Sequence, residues 1–304
     1  MSNPLISILL CSYNGERFIK EQIDSLLSQT YSDLEIIISD DLSTDRTRDI
    51  LAQYRDEGRI KLFLQTENLG QSKNIEFALQ QATGEFIAFA DQDDIWVPEK
   101  INTMLDHQGP EWLIYSNSIL ISEEGEYLGK KIADLRKMYS GNRTMGFVFS
   151  NVVWGHAMMI KRNLLPQIFP IPQDIPHDIW IAYKATVATG IKYIDIPLTK
   201  YRQHSGTVTR TIAAKAESRS GSKRYRDFKK QLNWIRVMKE NASVKEESFY
   251  VQLYHHYSKK ENGNYNWPLF FFLMKHRSEL FMFTRKKWLS QAIEIFKQAR
   301  GEKP

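Results

Sequence analysis

The chain has 304 residues with 41 basic and 36 acidic side chains, 42% hydrophobic and 25% charged, a composition that excludes disordered and fibrous classes and suits one or two folded domains. Its single cysteine, Cys11, excludes an internal disulfide, a cysteine zinc cage and a redox pair, and reads as a small hydrophobe. The net charge of +5 conceals an asymmetry: residues 1–200 carry 19 basic and 27 acidic groups, whereas 201–304 carry 22 and 9. The run Leu5–Leu10 lacks a basic segment before it and is too short for a signal peptide or a membrane span, so it predicts a first strand. A helix follows from about Glu16 to Gln29 with Phe18, Ile19, Ile23, Leu26 and Leu27 inward. Then come a strand at Leu34–Ser39, a helix from about Arg46, a strand at Ile60–Gln65, a helix from about Ser72 to Gln81 and a strand at Glu85–Ala90. This alternation predicts a parallel sheet covered on both faces, with ligands outside the carboxyl ends of its strands. Beyond Pro98 the pattern loosens through Ser150, which predicts loops and mixed strands.

Three strand ends carry polar or acidic groups: Ser12-Tyr13-Asn14-Gly15-Glu16, Asp40-Asp41-Leu42-Ser43-Thr44-Asp45 and Asp91-Gln92-Asp93-Asp94. One strand-end Asp can merely cap the next helix. Asp91, Asp93 and Asp94 together repel one another unless a cation or donors compensate, and hard divalent cations prefer carboxylate oxygens. The chain has neither a Gly-x-x-x-x-Gly-Lys-Ser/Thr loop nor a Gly-x-Gly-x-x-Gly turn, so the usual phosphate-loop and dinucleotide readings lose support. A metal on these aspartates is then the economical phosphate holder.

With Asn68-Leu69-Gly70-Gln71-Ser72-Lys73-Asn74, Gly84-Glu85 and the extension Ile95-Trp96 in register, the chain over about residues 4–206 resembles the inverting family 2 glycosyltransferases. The resemblance implies an A-type glycosyltransferase fold: α/β and Rossmann-like, with a mostly parallel central sheet flanked by helices and a C-terminal helical extension. It implies that Tyr13 and Asp41 hold the nucleobase, with Ser12, Asn14 and Glu16 nearby and Lys73 approaching the nucleotide. Asp91 and Asp93 correspond to the family's Asp-x-Asp pair, Asp93 as direct ligand of Mn2+ or Mg2+ and Asp91 toward ribose or metal. Leu42 stands where the family usually has Gly, which bears on that loop's turn.

Inverting transfer needs one base to deprotonate the acceptor hydroxyl. By the resemblance Asp178, in Pro176-His177-Asp178-Ile179-Trp180, is that base, and His177 packs or binds acceptor. In Tyr201-Arg202-Gln203-His204-Ser205-Gly206, similar to a segment of polysaccharide-building members, the Arg and His can face the diphosphate, and His204 is a metal ligand. Gly155-His156-Ala157-Met158-Met159 reads as a strand lining the acceptor side. The donor implied is a UDP- or dTDP-sugar, and the acceptor a growing surface glycan (O-antigen or capsule) on polyprenyl diphosphate. Rhamnosyl and hexosyl transferases are the types resembled.

The expected domains are 1–206, catalytic, and 207–304, basic, aromatic and helical. Arg219, Lys223, Arg224, Arg226, Lys229 and Lys230 accompany an amphipathic pattern of Tyr225, Phe228, Leu232 and Ile235, and Trp267–Met274 and Phe281–Phe283 are followed by further basic residues. Such runs are too short to cross a bilayer but can lie on an anionic one, or pack against protein in an oligomer or on the main domain. The expected location is cytoplasmic, at the inner membrane face. The rival reading is a non-catalytic nucleotide-sugar-binding or nucleic-acid-binding protein with a basic tail; salt-sensitive affinity for RNA or DNA would favour it.

Overall fold

A computed structural model describes residues 3–204 and 221–303. The expected domain boundary at 206/207, and Ser205, Gly206 and Arg219, lie outside the described residues. The chain divides into two units, Met1–Asn142 with Val152–Thr209, and Arg143–Asn151 with Arg210–Pro304.

The first unit is built on a nine-stranded sheet. Strands β1 (Ile6–Ser12), β2 (Leu34–Asp40), β3 (Ile60–Leu64) and β4 (Phe86–Ala90) lie in the order β3-β2-β1-β4, all parallel. β2 is buried along its whole length and β1 nearly so, as a strand covered on both faces must be. Helix α1 (Ile19–Leu27) buries Ile19, Ile23 and Leu26 at helical spacing, and α3 (Gln71–Gln81) buries Ile75, Ala78 and Leu79; α2 (Thr47–Ala52) lies between them in sequence. The first helix begins at Ile19, later than the expected Glu16, because Glu16 is held in a loop: its N–H donates to Asp45 Oδ2 (3.1 Å) and its carboxylate accepts from Arg46 N–H (2.9 Å).

The other half of the sheet is mixed, with antiparallel strands joined to the expected mostly parallel arrangement. β5 (Ile95–Trp96), α4 (Lys100–Asp106), β6 (Leu113–Ile121), β7 (Tyr127–Lys131), α5 (Ile132–Leu135), β8 (Met158–Lys161), α6 (Leu165–Ile168), α7 (His177–Ala188) and β9 (Ile191–Arg202) follow in sequence. β8 runs antiparallel between β4 and β6, and β9 lies parallel to β6 and antiparallel to β5.

These registers position the loops. Ser12 pairs with Asp40 and Leu10 with Ala90, so Tyr13, Asp41 and Asp91 open loops on one edge. Because β8 is antiparallel, with Met159 opposite Ala88, the turn before it arrives at the same edge and carries His156. Because β9 is antiparallel to β5, with Lys200 opposite Ile95, the aspartates preceding β5 face the residues that follow β9.

The second unit comprises the short 143–151 segment with α8 (Gly221–Glu240), α9 (Glu247–Ser258), α10 (Trp267–Lys275), α11 (Arg277–Leu280) and α12 (Trp288–Gln298). Trp234 Nε1 donates to Phe147 O (2.9 Å), Thr144 N donates to Glu246 Oε1 (3.1 Å), and the Phe147 and Phe283 rings meet edge to face at 4.9 Å. On α8, Phe228 and Ile235 of the expected apolar face are buried, joined by Trp234 and Met238.

Candidate active site

The loops after β1 and β2 are laced together. Asn14 accepts at Oδ1 from Thr44 N (2.8 Å) and donates its N–H to Ser43 Oγ (2.9 Å), and Gly15 N donates to Thr47 Oγ1 (2.8 Å). Asn14 and Leu42 both take positive φ, 50° and 62°. Leu42 therefore adopts the left-handed conformation that a glycine would take without cost, at about 1–2 kcal/mol. Ser12 is turned inward, donating to Asp40 Oδ2 (3.0 Å), and Asp40 is fully buried on Ser43 and Arg48. Asp41 is different: its Oδ1 and Oδ2 accept from the N–H groups of Leu69 (2.6 Å) and Gly70 (2.9 Å), which ties the start of α3 and exposed Lys73 to this edge. Each carboxylate oxygen keeps a second acceptor position. Tyr13 stands exposed beside it.

The loop after β4 holds the densest charge. Asp93 Oδ2 lies 2.8 Å from His204 Nε2, whose ring packs at 5.0 Å on Phe18. Asp91 Oδ2 and Asp94 Oδ2 lie 3.6 Å and 3.4 Å from Nδ1 of His156. His156 is only 1% exposed, stacks on Tyr201 at 4.4 Å and reaches Ser118 Oγ with Nε2 (3.0 Å). It therefore lies beneath the aspartates and does not line an acceptor surface, and Met158 and Met159 beside it are core. Burial and the charges of Asp93 and Asp91 hold the Asp94 carboxyl well above the usual range. Burial and Asp91 also raise Asp93, with His204 pulling against them. Burial would raise Asp91 too, but the neighbouring His156, with His177 and Lys100 further off, leaves it lowered.

Four residues that support this loop escaped the sequence reading in whole or in part. Lys100, fully buried, donates to His156 O (2.5 Å) and Thr199 Oγ1 (2.8 Å) and sits 3.7 Å over the Trp96 ring. Arg202 does not present its guanidinium to a ligand. It is buried, donating from Nε to Asp93 O (2.8 Å), from a terminal nitrogen to Glu123 O (2.7 Å) and to Glu21, while its N–H donates to Asp94 Oδ1 (2.9 Å). Gln92 clamps the Tyr13 backbone. His156 was visible as a histidine, but only the antiparallel entry of β8 brings it to Asp91 and Asp94.

Asp178 sits in the first turn of α7 with Oδ1 accepting from Ile179 N (2.7 Å). Burial raises its carboxyl; His177 lowers it, and the charge of Asp91 adds to the rise. His177 stacks on Phe89 at 6.2 Å, and a Cβ at Gly155 would come within 3.0 Å of its Nε2 and 3.7 Å of Asp91 Oδ1. Gly155 thus leaves room for His177 and Asp91 to converge. The edge gathers a nucleotide-type loop, a carboxylate–histidine cluster and a carboxylate with raised proton affinity.

The set implied by the sequence is Asp91, Asp93 and His204, of which Asp93 and His204 meet at 2.8 Å; a second set, Asp91, Asp94 and His156, has its ligating atoms within 4.8 Å of one another and could hold a cation. The second contains two orphaned atoms, Asp94 Oδ2 and His156 Nδ1, that make no hydrogen bond. The first is the more open, with Asp93 20% and His204 12% exposed against 0% and 1% for Asp94 and His156. A cation shared with a diphosphate needs open coordination positions, which favours the more exposed set.

The family model described as Glycosyl transferase family 2 matches residues 7–169, more than half of the chain. The Escherichia coli protein WfgD, named UDP-Glc:alpha-D-GlcNAc-diphosphoundecaprenol beta-1,3-glucosyltransferase, is 40% identical over 188 residues, covering 60% of this chain and 70% of WfgD. The crystal structure of S. aureus TarS 1–349 in complex with UDP-GlcNAc has TM-score 0.61 and 21% identity, covering 97% of this chain and 81% of that one. The mannosyltransferase PcManGT from Pyrobaculum calidifontis, in complex with GDP-Man and Mn2+, has TM-score 0.56 and 16% identity, covering 98% and 81%.

Proposed function

The chain belongs to glycosyl transferase family 2 and has the A-type fold, and on that premise we propose that it moves a hexosyl or rhamnosyl group, with inversion, from a UDP- or dTDP-sugar. The acceptor is a hydroxyl of a polyprenyl-diphosphate-linked glycan in surface polysaccharide assembly, of the O-antigen or capsule kind, at the inner face of the membrane. The donor and acceptor classes are supported by the activity for which WfgD is named and by UDP-GlcNAc in the TarS structure. Tyr13 offers a ring to the base and Asp41 its remaining acceptor positions to a pyrimidine N–H, with Ser12, Asn14 and Glu16 shaping the loop and Lys73 near the phosphates.

Asp178 takes the proton of the attacking hydroxyl. Its raised proton affinity makes it a stronger base than an exposed aspartate. The hydroxyl oxygen bonds to the anomeric carbon as the bond to the diphosphate breaks on the opposite face, so the configuration inverts. The observation that carries this reading is the 2.8 Å contact of Asp93 Oδ2 with His204 Nε2, on the loop that also carries Asp91. Mn2+ or Mg2+ held by Asp91, Asp93 and His204 would supply charge neutralisation for the departing diphosphate. Arg202 holds the backbone of Asp93, and Lys100 that of His156 beneath it. The test is a donor screen for nucleotide diphosphate release with Mn2+ or Mg2+, with and without lipid-linked acceptor. Release that requires both acceptor and metal is expected; turnover unchanged in excess chelator would overturn the metal assignment.

A further inference from the structure

Six large apolar side chains of the second unit are exposed on two of its helices: Trp267 (53%) and Phe271 (65%) on α10, and Trp288 (57%), Leu289 (65%), Ile293 (49%) and Phe296 (52%) on α12. On α12, Leu289, Ile293 and Phe296 fall at i, i+4 and i+7, a single stripe, while Ile295 faces inward. On α10, Trp267 and Phe271 form an i, i+4 pair, while Leu269 and Leu273 face inward. The two stripes join through ring contacts. Tyr265 meets Trp267 at 4.6 Å and Phe296 at 5.0 Å, and Phe270 meets Phe271 at 5.3 Å and Phe296 at 6.3 Å. A continuous exposed face of this kind marks an interaction surface.

We propose that this α10–α12 face is where the protein docks on an anionic lipid bilayer, with Trp267, Phe271, Leu289, Ile293 and Phe296 inserted at the headgroup boundary. The proposal rests on the lipid-linked acceptor reading above and identifies the surface that would serve it. The helices have 9 and 11 residues, too short to cross a hydrocarbon core of about 30 Å, so they lie in the interface plane. Charge chooses the occupant. Residues 265–300 carry seven basic and two acidic side chains; Lys286 pairs with Glu294 (3.5 Å), and the net charge of the segment remains positive, with Lys275, Lys287, Lys297 and Arg300 exposed. Two copies meeting through this face would oppose positive surfaces, whereas anionic headgroups neutralise them.

Within the expected basic C-terminal region this places the docking face on α10 and α12 and not on Lys223, Arg224, Lys229 and Lys230 of α8. There Lys229 pairs with Glu261 (3.0 Å) and Arg224 with Glu302 (3.7 Å), which offsets part of that cluster's charge.

The experiment is co-sedimentation of the full chain with vesicles of phosphatidylglycerol and phosphatidylcholine against phosphatidylcholine alone, at low salt. Binding to the anionic vesicles is expected. Leu289→Glu with Ile293→Glu should weaken it by about tenfold or more, while the fourfold Gln variant at Lys223, Arg224, Lys229 and Lys230 should change it by less than about threefold. Brominated lipid should quench tryptophan emission, and Trp267→Phe should remove part of that quenching, a readout independent of the Glu variants. Absence of binding to anionic vesicles, the reverse ranking of the two variants, or a dimer in light scattering that the Glu pair dissociates would overturn the proposal. Transfer to a short water-soluble acceptor separates the two readings. A Glu pair that loses vesicles but keeps transfer supports the docking face, whereas vesicle binding without transfer from any donor refutes only the transferase assignment.

Discussion

The side-chain amide of Gln92 pairs with both backbone groups of Tyr13: Oε1 accepts the Tyr13 N–H at 3.0 Å and Nε2 donates to the Tyr13 carbonyl at 3.1 Å. The residue between Asp91 and Asp93 thus fastens the loop after β4 to the loop after β1. A Cβ at Gly15 would stand 2.4 Å from Gln92 Oε1, so the pairing also requires glycine at 15. Gln92→Ala should raise the donor KM by about tenfold, the scale of one or two lost hydrogen bonds, with a smaller effect on kcat. Gly15→Ala should reproduce it by displacing Gln92, and the double variant should be little worse than either. Additive losses in steady-state kinetics would show that the two positions act separately.

Asp178→Asn preserves size and the hydrogen bond from Ile179 N–H but cannot take a proton. Transfer should fall by about 10²- to 10⁴-fold while donor affinity, measured by calorimetry, stays. The sign of the pH dependence follows from the raised carboxyl. The base works only when ionised, so kcat should rise with pH through an acid limb centred above the ordinary aspartate value of 3.8. A limb at or below that value would contradict the burial of Asp178.

Much of this was legible in the sequence where contacts are local or the strands are uniformly apolar. β1, β2 and β4 stand out as runs such as Ile36-Ile37-Ile38, and the ends of those strands point to Tyr13, Asp41 and Asp91. The rest depends on strands crossing the sheet. Nothing near His156 or Lys100 in the chain indicates that an antiparallel β8 delivers one to Asp94 and that the other, buried, holds its carbonyl. Arg202 was visible two residues before His204, but its use as a brace behind Asp93 follows from the β5–β9 pairing. The exposed α12 stripe needed the helix phase, because Trp288, Leu289 and Ile295 read alike in sequence.

Lys100→Met should keep the packing on Trp96 and leave His156 O and Thr199 Oγ1 without their shared donor. The loss should cost about 1–3 kcal/mol of stability in chemical denaturation. Unchanged stability would mean that the ammonium contributes nothing net against its burial.

Glu35 provides an acid-stability test away from the chemistry. Burial would raise its carboxyl, but hydrogen bonds from Lys61, Ser7 and Thr83 outweigh it and hold it at about 2, against an ordinary 4.5. The folded-state value is depressed, so the stabilisation is complete above about pH 4.5 and is lost as pH falls toward 2. Denaturation midpoints of Glu35→Gln should show a shallower decline across that window; an identical slope would remove Glu35 from the acid response.

Inversion driven by Asp178 from the face opposite the diphosphate is the central claim, and the anomeric configuration of the first product formed tests it most directly. With an α-linked nucleotide sugar and a polyprenyl-diphosphate-linked acceptor, proton NMR of the new linkage should show a β-glycoside. An α-glycoside as the first product would contradict the account.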